Sequence, residues 1–171
     1  AANNAITLPG DTDMQPDFVW IKNRDATDAH CMFDVIRGVT KLISSNIGTA
    51  ETTDTDTLDS FTSDGFQVDA DVKVNADADT YFALCWKAGT SETNTNGDQD
   101  GTISKSTVAG FSIVKSTTAS SGNFTWPHGL DSAPELILRK PDYLNSTMSW
   151  DVYHIKNTAA PETDALVLNT N

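Results

Sequence analysis

The sequence predicts an all-β protein, an antiparallel β-sandwich of jelly-roll-like type. Thr, Val, Ile, Phe, Trp and Tyr cluster in short runs, and Gly, Asp, Asn and Ser separate these runs. Several runs alternate between apolar and polar residues, which is typical of a strand with one buried face. No segment sustains the periodicity of a long helix.

The predicted strands form two sets along the chain. The run Tyr81–Trp86 is continuously apolar, so we expect a central strand covered on both faces. Residues 25–37 are compatible with a helical turn, and the polar stretches 47–59 and 89–107 are predicted loops. The first set of strands is predicted at 5–8, 17–22, 30–36, 41–44, 65–68 and 80–87, and the second at 110–115, 123–126, 135–140, 149–154 and 165–168.

An internal repeat organises these strands. The segment ITLP at 6–9 matches FTWP at 124–127, and PDFVW at 16–20 matches PELIL at 134–138, both at an offset of 118 residues. Further along, FDV at 33–35 aligns with WDV at 150–152, and Asn46 aligns with Asn169. We therefore predict a first β repeat over 1–89, a loop or linker over 90–108, and a partial second β repeat over 109–171.

The second copy lacks a counterpart of the Tyr81–Trp86 strand in the sequence. A half-sheet with an unpaired edge and an apolar face is unstable alone. Three arrangements would resolve this: the copy packs on the first one, a neighbouring subunit completes it, or the sequence is a fragment of a longer polypeptide. The start at Ala1, without Met, is compatible with the third arrangement. We expect the first two together.

The charge balance argues against two classes of partner. The chain has 24 Asp plus Glu against 11 Lys plus Arg, a net charge of -13. Such a field repels phosphate backbones and anionic membrane faces, so we expect no nucleic-acid binding and no membrane insertion. No apolar stretch reaches the roughly 18 residues of a membrane-spanning helix. We expect Cys31 and Cys85 to be buried free thiols rather than a disulfide.

The sequence contains no recognisable catalytic motif. A Gly-X-Ser-X-Gly elbow, a phosphate loop and a dinucleotide fingerprint are all missing from it. His30, His128 and His154 are scattered among predicted strands and turns, where structural or surface roles are the default. We therefore predict that the protein is not an enzyme and has no resident cofactor.

Two weaker patterns concern ligands. Asn96, Asp98 and Asp100 place oxygen atoms at alternate positions before a glycine, as in the opening of a calcium loop, although the closing glutamate is missing. A solvated turn is the favoured interpretation, and Ca²⁺ is the alternative. Trp126 and Trp150 are the aromatic residues considered for sugar binding, although core packing is the default for both.

A string of short motifs, in a fixed order, covers nearly the whole chain. These motifs are PDFVWIKNRD at 16–25, FDVIRG at 33–38, SDGF at 63–66, NADADTY at 75–81, WKAG at 86–89, AGFSIV at 109–114 and PHGL at 127–130. The string resembles a repeated domain of structural proteins from phages of cyanobacteria and other marine bacteria, found in tail fibres and capsid appendages. The second copy departs from it, because RKPD at 139–142 stands where a turn of the KNRD type is expected.

The resemblance implies a β-rich module of the virion surface without catalytic residues, often in tandem and beside concanavalin-like or jelly-roll domains. We expect a tail-fibre, spike or capsid-surface protein that assembles with copies of itself, a trimer being one arrangement, and with other virion proteins. A host-surface glycan is the ligand expected for a receptor-binding role. The alternatives are a capsid decoration protein, which stabilises the head, and a free carbohydrate-binding lectin domain.

Overall fold

The computed structural model describes residues 3–117, 123–141 and 147–170, and confirms the all-β class. Asp142 of the RKPD segment and the outer ends of the predicted repeats, positions 1 and 171, lie outside the described residues. Every pairing between the described strands is antiparallel. The elements are β1 (Asn4–Thr7), β2 (Phe18–Asn23), β3 (Cys31–Asp34), β4 (Lys41–Ser44), β5 (Thr52–Thr53), β6 (Leu58–Thr62), β7 (Gly65–Val68), α1 (Val72–Asn75), β8 (Tyr81–Trp86), β9 (Ser91–Asn94), β10 (Gly101–Ser106), β11 (Phe111–Ser116), β12 (Leu136–Arg139), β13 (Asp151–His154) and β14 (Leu166–Val167).

Two sheets pack face to face to form the sandwich. One has the strand order β1-β7-β6 and the other the order β5-β4-β3-β2-β8. Alternate residues of β2 point inward, as the sequence pattern predicts for a strand with one buried face. The buried core combines residues of both sheets with one from α1: Val19, Ile21, Cys31, Phe33, Leu42, Leu58, Phe66, Val68 and Val74.

The position of β8 corrects one prediction. β8 lies at the end of the five-stranded sheet, where its described partner is β2, and Phe82 and Leu84 remain 54% and 36% exposed. The run is continuously apolar because both faces of β8 carry apolar residues: Tyr81 and Cys85 pack against the core, whereas Phe82 and Leu84 face outward. The prediction of a central strand covered on both faces is therefore wrong.

A third sheet, with the order β9-β10-β11, covers part of the outer face of the sandwich. The ring of Phe111 on β11 stacks on Trp86 at 5.9 Å between ring centres and meets the edge of Phe18 at 6.2 Å. β9 and β10 lie within residues 90–108, so the prediction of a loop or linker there is wrong over these strands. Ile103, which is fully buried, is the one large apolar residue in these two strands. The sequence of β9 and β10 therefore carries little hydrophobic signal.

Helical structure is confined to α1 within the described residues. Asp71 precedes α1, and its carboxylate accepts a hydrogen bond of 2.7 Å from the backbone N–H of Lys73. Within 25–37 the chain forms β3 and then a single hydrogen-bonded turn at 35–37, which the N–H of Gly38 closes by donating to the carbonyl oxygen of Asp34 at 2.9 Å. In the described part of the chain, no helix has the length and apolar character needed to cross a membrane.

Candidate functional site

The sheet β12-β13-β14 reproduces the strands β2-β3-β4 of the sandwich. Both sets are antiparallel and have the same order, with the first strand beside the second and the second beside the third. The two ends of the first pairing correspond in register: Phe18 faces Asp34 as Leu136 faces His154, and Ile21 faces Cys31 as Arg139 faces Asp151. The duplication inferred from the sequence is therefore present in the strand pairing.

Backbone hydrogen bonds at the strand ends repeat as well. The N–H of His30 donates to Asn46 Oδ1 at 2.9 Å, and the N–H of Trp150 donates to Asn169 Oδ1 at 2.7 Å. This confirms the predicted match of the two asparagines. In the same way, Val35 N–H bonds to the carbonyl oxygen of Asp17 at 3.0 Å, and Ile155 N–H bonds to that of Glu135 at 2.9 Å.

The structure corrects the alignment of the middle strand. Trp150-Asp151-Val152 corresponds to His30-Cys31-Met32, three positions away from the predicted FDV segment at 33–35. The paired residues Ile21 and Cys31 are ten positions apart, whereas Arg139 and Asp151 are twelve apart. The connection is therefore longer in the second copy, and the shared aspartate of the two segments is not equivalent.

One face of the second copy has lost its apolar character. Where the first copy buries Ile21 beside Cys31, the second has Arg139 Nη1 2.8 Å from the Asp151 carboxylate. Both of these side chains are more than two-fifths exposed, so the pair adds little stability by itself. This face cannot form a core like that of the first copy.

Trp126 lies beneath this ion pair. The guanidinium of Arg139 is 5.1 Å from the centre of the Trp126 ring, and the Phe124 ring packs beside it at 5.3 Å. Among the described residues, the indole N–H of Trp126 is buried and has no hydrogen-bond partner. The predicted strand at 123–126 is not formed. The Trp126 ring is therefore half-buried, with Arg139 over one face and Phe124 beside it, and is not an open platform for a sugar.

Trp150 joins the second copy to the first. It is 3% exposed, and its Nε1–H donates to the backbone oxygen of Ser44 at 2.8 Å. A sugar stacks on an exposed ring face, and Trp150 offers none. Its hydrogen bond instead joins the start of β13 in the second copy to the end of β4 in the first.

Gly48 lies at the same junction. Its carbonyl oxygen accepts hydrogen bonds of 2.8 Å from the N–H of Met148 and from Lys140 Nζ. A β-carbon added at Gly48 would lie 2.8 Å from Thr147 Cγ2 and 3.0 Å from the Met148 carbonyl oxygen. The two copies therefore approach too closely here for a side chain.

The outer edge of β12 is the candidate assembly surface. In the first copy, β8 pairs with the equivalent edge of β2 along its whole length. No strand of the described residues pairs with this edge of β12, which we call the open edge. Leu136, Ile137 and Leu138 are 55%, 43% and 37% exposed. An apolar strand with an unpaired edge is a template for another strand.

The residues of the predicted calcium loop lie in and beside the turn between β9 and β10. Asp98 accepts hydrogen bonds of 3.0 Å from both the N–H and the hydroxyl of Thr125, while Asn96 and Asp100 are exposed. Within the described part of the chain, no group of three or more acidic, His or Cys side chains is placed to hold a metal. Asp98 therefore fastens the segment around Thr125 to this turn, and Ca²⁺ binding stays a prediction.

The sequence does not predict the polar cluster that surrounds the buried Asn23. Asn23 is fully buried, and its amide donates to the carboxylates of Asp79 at 2.8 Å and Asp28 at 3.1 Å. Its Oδ1 accepts the N–H of Asp25 at 2.9 Å. Burial, and then the neighbouring acids, raise the pKa of Tyr81, whose hydroxyl lies beside the cluster. The cluster ties the end of β2 to the loop that follows it and to the loop before β8, and its partners are too far apart in sequence to be recognised as a motif.

Both cysteines are free thiols, as expected from the sequence. Burial raises the pKa of the Cys31 thiol to about 12 and also raises that of the half-buried Cys85. Both thiols are therefore protonated at neutral pH and poor nucleophiles.

Comparison with known proteins identifies a family. Residues 2–171 match the family described as a domain of unknown function, DUF7483, and the chain belongs to it. No curated protein matches the sequence significantly. No solved structure matches it significantly either.

Proposed function

We propose that this member of the DUF7483 family is a structural protein on the outside of a bacteriophage particle, in a tail fibre, a spike or another surface appendage. The observation that carries the proposal is the open edge. The second copy repeats three strands of the first but leaves apolar residues of β12 uncovered within the described chain. Such an edge suits a protein that is completed by its neighbours in an assembly.

The motif string supports the same assignment. Its order and its coverage of the chain resemble a repeated module of phage structural proteins, and the observed duplication agrees with a module used in tandem. The proposed mechanism is mechanical: the sandwich is a rigid scaffold, and strand edges join copies of the chain to one another and to other virion proteins. The proposal assigns no catalytic role.

A host glycan is the ligand that this proposal would assign to a receptor-binding role. The Trp150 ring is buried and the half-buried Trp126 ring has Arg139 over one face, so neither ring carries this part of the proposal. The loops at the ends of the sheets are the better candidates, because their polar side chains are exposed. Loops on a rigid β scaffold commonly carry binding function.

The test is to locate the chain in phage particles. Particles of a phage that encodes this chain are purified, labelled with gold-conjugated antibodies against the chain and imaged by electron microscopy. We expect the label on a fibre, a spike or another appendage outside the head. An even label over the head surface, with saturable binding to empty capsids, would support a decoration protein instead. Particles without label would refute the virion assignment.

A further inference from the structure

We propose that the open edge of β12 pairs with the same edge of a second copy of this chain, related by a two-fold axis. The result is a continuous six-stranded sheet across two chains, in the order β14-β13-β12 followed by β12-β13-β14 of the second copy. This inference goes beyond the proposed function and does not depend on where the protein is located. The pairing in the first copy and the sequence of β12 both point to a second copy as the partner.

The first copy shows what this edge accepts. Along the equivalent edge of β2, the antiparallel strand β8 places Trp86 opposite Phe18 and Cys85 opposite Val19. Asp17 precedes Phe18 and Lys87 follows Trp86, and the ammonium group of Lys87 lies 3.2 Å from the carboxylate of Asp17. An acidic residue at the start of this edge is therefore matched by a basic residue at the end of the incoming strand.

The strand Glu135-Leu136-Ile137-Leu138-Arg139 is complementary to itself when it runs antiparallel. With Ile137 facing Ile137 of the second copy, Leu136 faces Leu138, and Glu135 faces Arg139 at both ends. Glu135 occupies the position of Asp17, so Arg139 of the second copy takes the place of Lys87. Opposite charges that face each other across strands stabilise a pair.

The backbone hydrogen-bonding groups of β12 also fit this register. The carbonyl group of Glu135 bonds to Ile155 on the β13 side. Backbone groups alternate between the two edges of a strand, so those of Leu136 and Leu138 face the open edge. In the proposed register these two residues face each other across the axis, and each pair exchanges two hydrogen bonds.

Charge also favours a second copy at this place. The chain has a net charge of -13, so most of its surface repels another copy. The ends of the open edge are an exception, because the acidic Glu135 lies at one end and the basic Arg139 at the other. A two-fold contact closes after two chains, whereas pairing with a different edge would continue into longer assemblies.

Charge reversal tests the proposal. Sedimentation velocity of the unmodified chain, at concentrations up to about 100 µM, is expected to show a dimer. Glu135→Arg and Arg139→Glu each place like charges opposite each other at both ends of the pair, so each should weaken the dimer at least about tenfold. Mixed together, the two variants regain opposite charges at both ends and should form a heterodimer at least about tenfold tighter than the homodimer of either variant.

Two controls make the outcome decisive. Glu162→Arg reverses an exposed charge away from the edge and should leave the dimer unchanged. Circular dichroism must show both edge variants folded, and Glu135→Arg leaves the Arg139–Asp151 pair intact. A monomer at every concentration, assemblies larger than two chains, single variants that dimerise normally, or a mixture of folded variants that stays monomeric would each overturn the proposal.

Discussion

Replacing Trp150 with phenylalanine tests the junction between the two copies. Trp150→Phe keeps an aromatic ring but removes the Nε1–H that bonds to the Ser44 carbonyl oxygen at 2.8 Å. Ser44 is 5% exposed, so its oxygen would lose a partner that water cannot easily replace. An unsatisfied buried acceptor costs about 1–3 kcal/mol. The smaller ring leaves a gap worth about 1 kcal/mol more, and we expect a loss of about 2–4 kcal/mol.

The matched control is Trp126→Phe. It makes the same chemical change at an indole whose N–H is buried without a partner in the described structure. Removing that donor leaves no acceptor unsatisfied, and a phenyl ring still lies under Arg139. We expect a change in the free energy of unfolding within about 1 kcal/mol of zero.

The assay is urea unfolding followed by far-UV circular dichroism, because fluorescence changes when a tryptophan is removed. The free energy of unfolding of each variant is compared with that of the unmodified chain in the same buffer and at the same concentration. Equal effects of the two substitutions, within about 0.5 kcal/mol, would refute the reasoning. The hydrogen bond to Ser44 would then contribute nothing to the junction.

Three further predictions concern packing, charge and thiol chemistry. Gly48→Ala should lower the thermal unfolding midpoint, at a cost of about 1–3 kcal/mol, whereas Gly10→Ala, with no atom nearer than 3.8 Å to the new carbon, should not; equal midpoints would contradict the close approach. Asn23→Asp places a carboxyl group at a fully buried position beside the half-buried carboxylates of Asp28 and Asp79, and this raises its pKa above the unfolded value of about 3.9. The loss of stability should therefore be small below about pH 4 and grow to about 3–5 kcal/mol at pH 7, and a loss independent of pH in urea titrations would disprove this. At pH 8 a thiol reagent should modify Cys31 and Cys85 slowly in the folded protein and at once in denaturant, because burial raises both pKa values, to about 12 for Cys31; rapid labelling of Cys31 in the folded protein would be inconsistent with its burial.

Much of the sandwich could be predicted from local patterns. Alternation in β2 and the apolar residues of β3 and β7 correctly indicate strands that contribute to the core. The environment of β8 could not be predicted, because its outer face depends on which distant strands cover it. β9 and β10 give little strand signal in the sequence, because Thr, Ser and other polar residues typical of a loop make up most of both strands, although Ser104 is fully buried.

Only the internal repeat allows the candidate assembly surface to be predicted from the sequence. The matched prolines and asparagines locate the second copy in the sequence. Its middle strand is aligned three positions away from the true match, because Asp34 and Asp151 are paired as identical residues and the longer connection of the second copy is not visible in the sequence. The hydrogen bond from Trp150 to Ser44 joins residues 106 positions apart, and no local pattern predicts it. The Asn23 cluster escaped prediction for the same reason.

The Arg139–Asp151 pair has a consequence for folding. Two similar halves in one chain risk exchanging places, so that the wrong three strands fold against β1-β7-β6. Such an exchange would bury a guanidinium and a carboxylate where Ile21 and Cys31 belong, and burying charges in an apolar core is strongly unfavourable. The divergence of the second half therefore disfavours a core in which the second copy takes the place of the first.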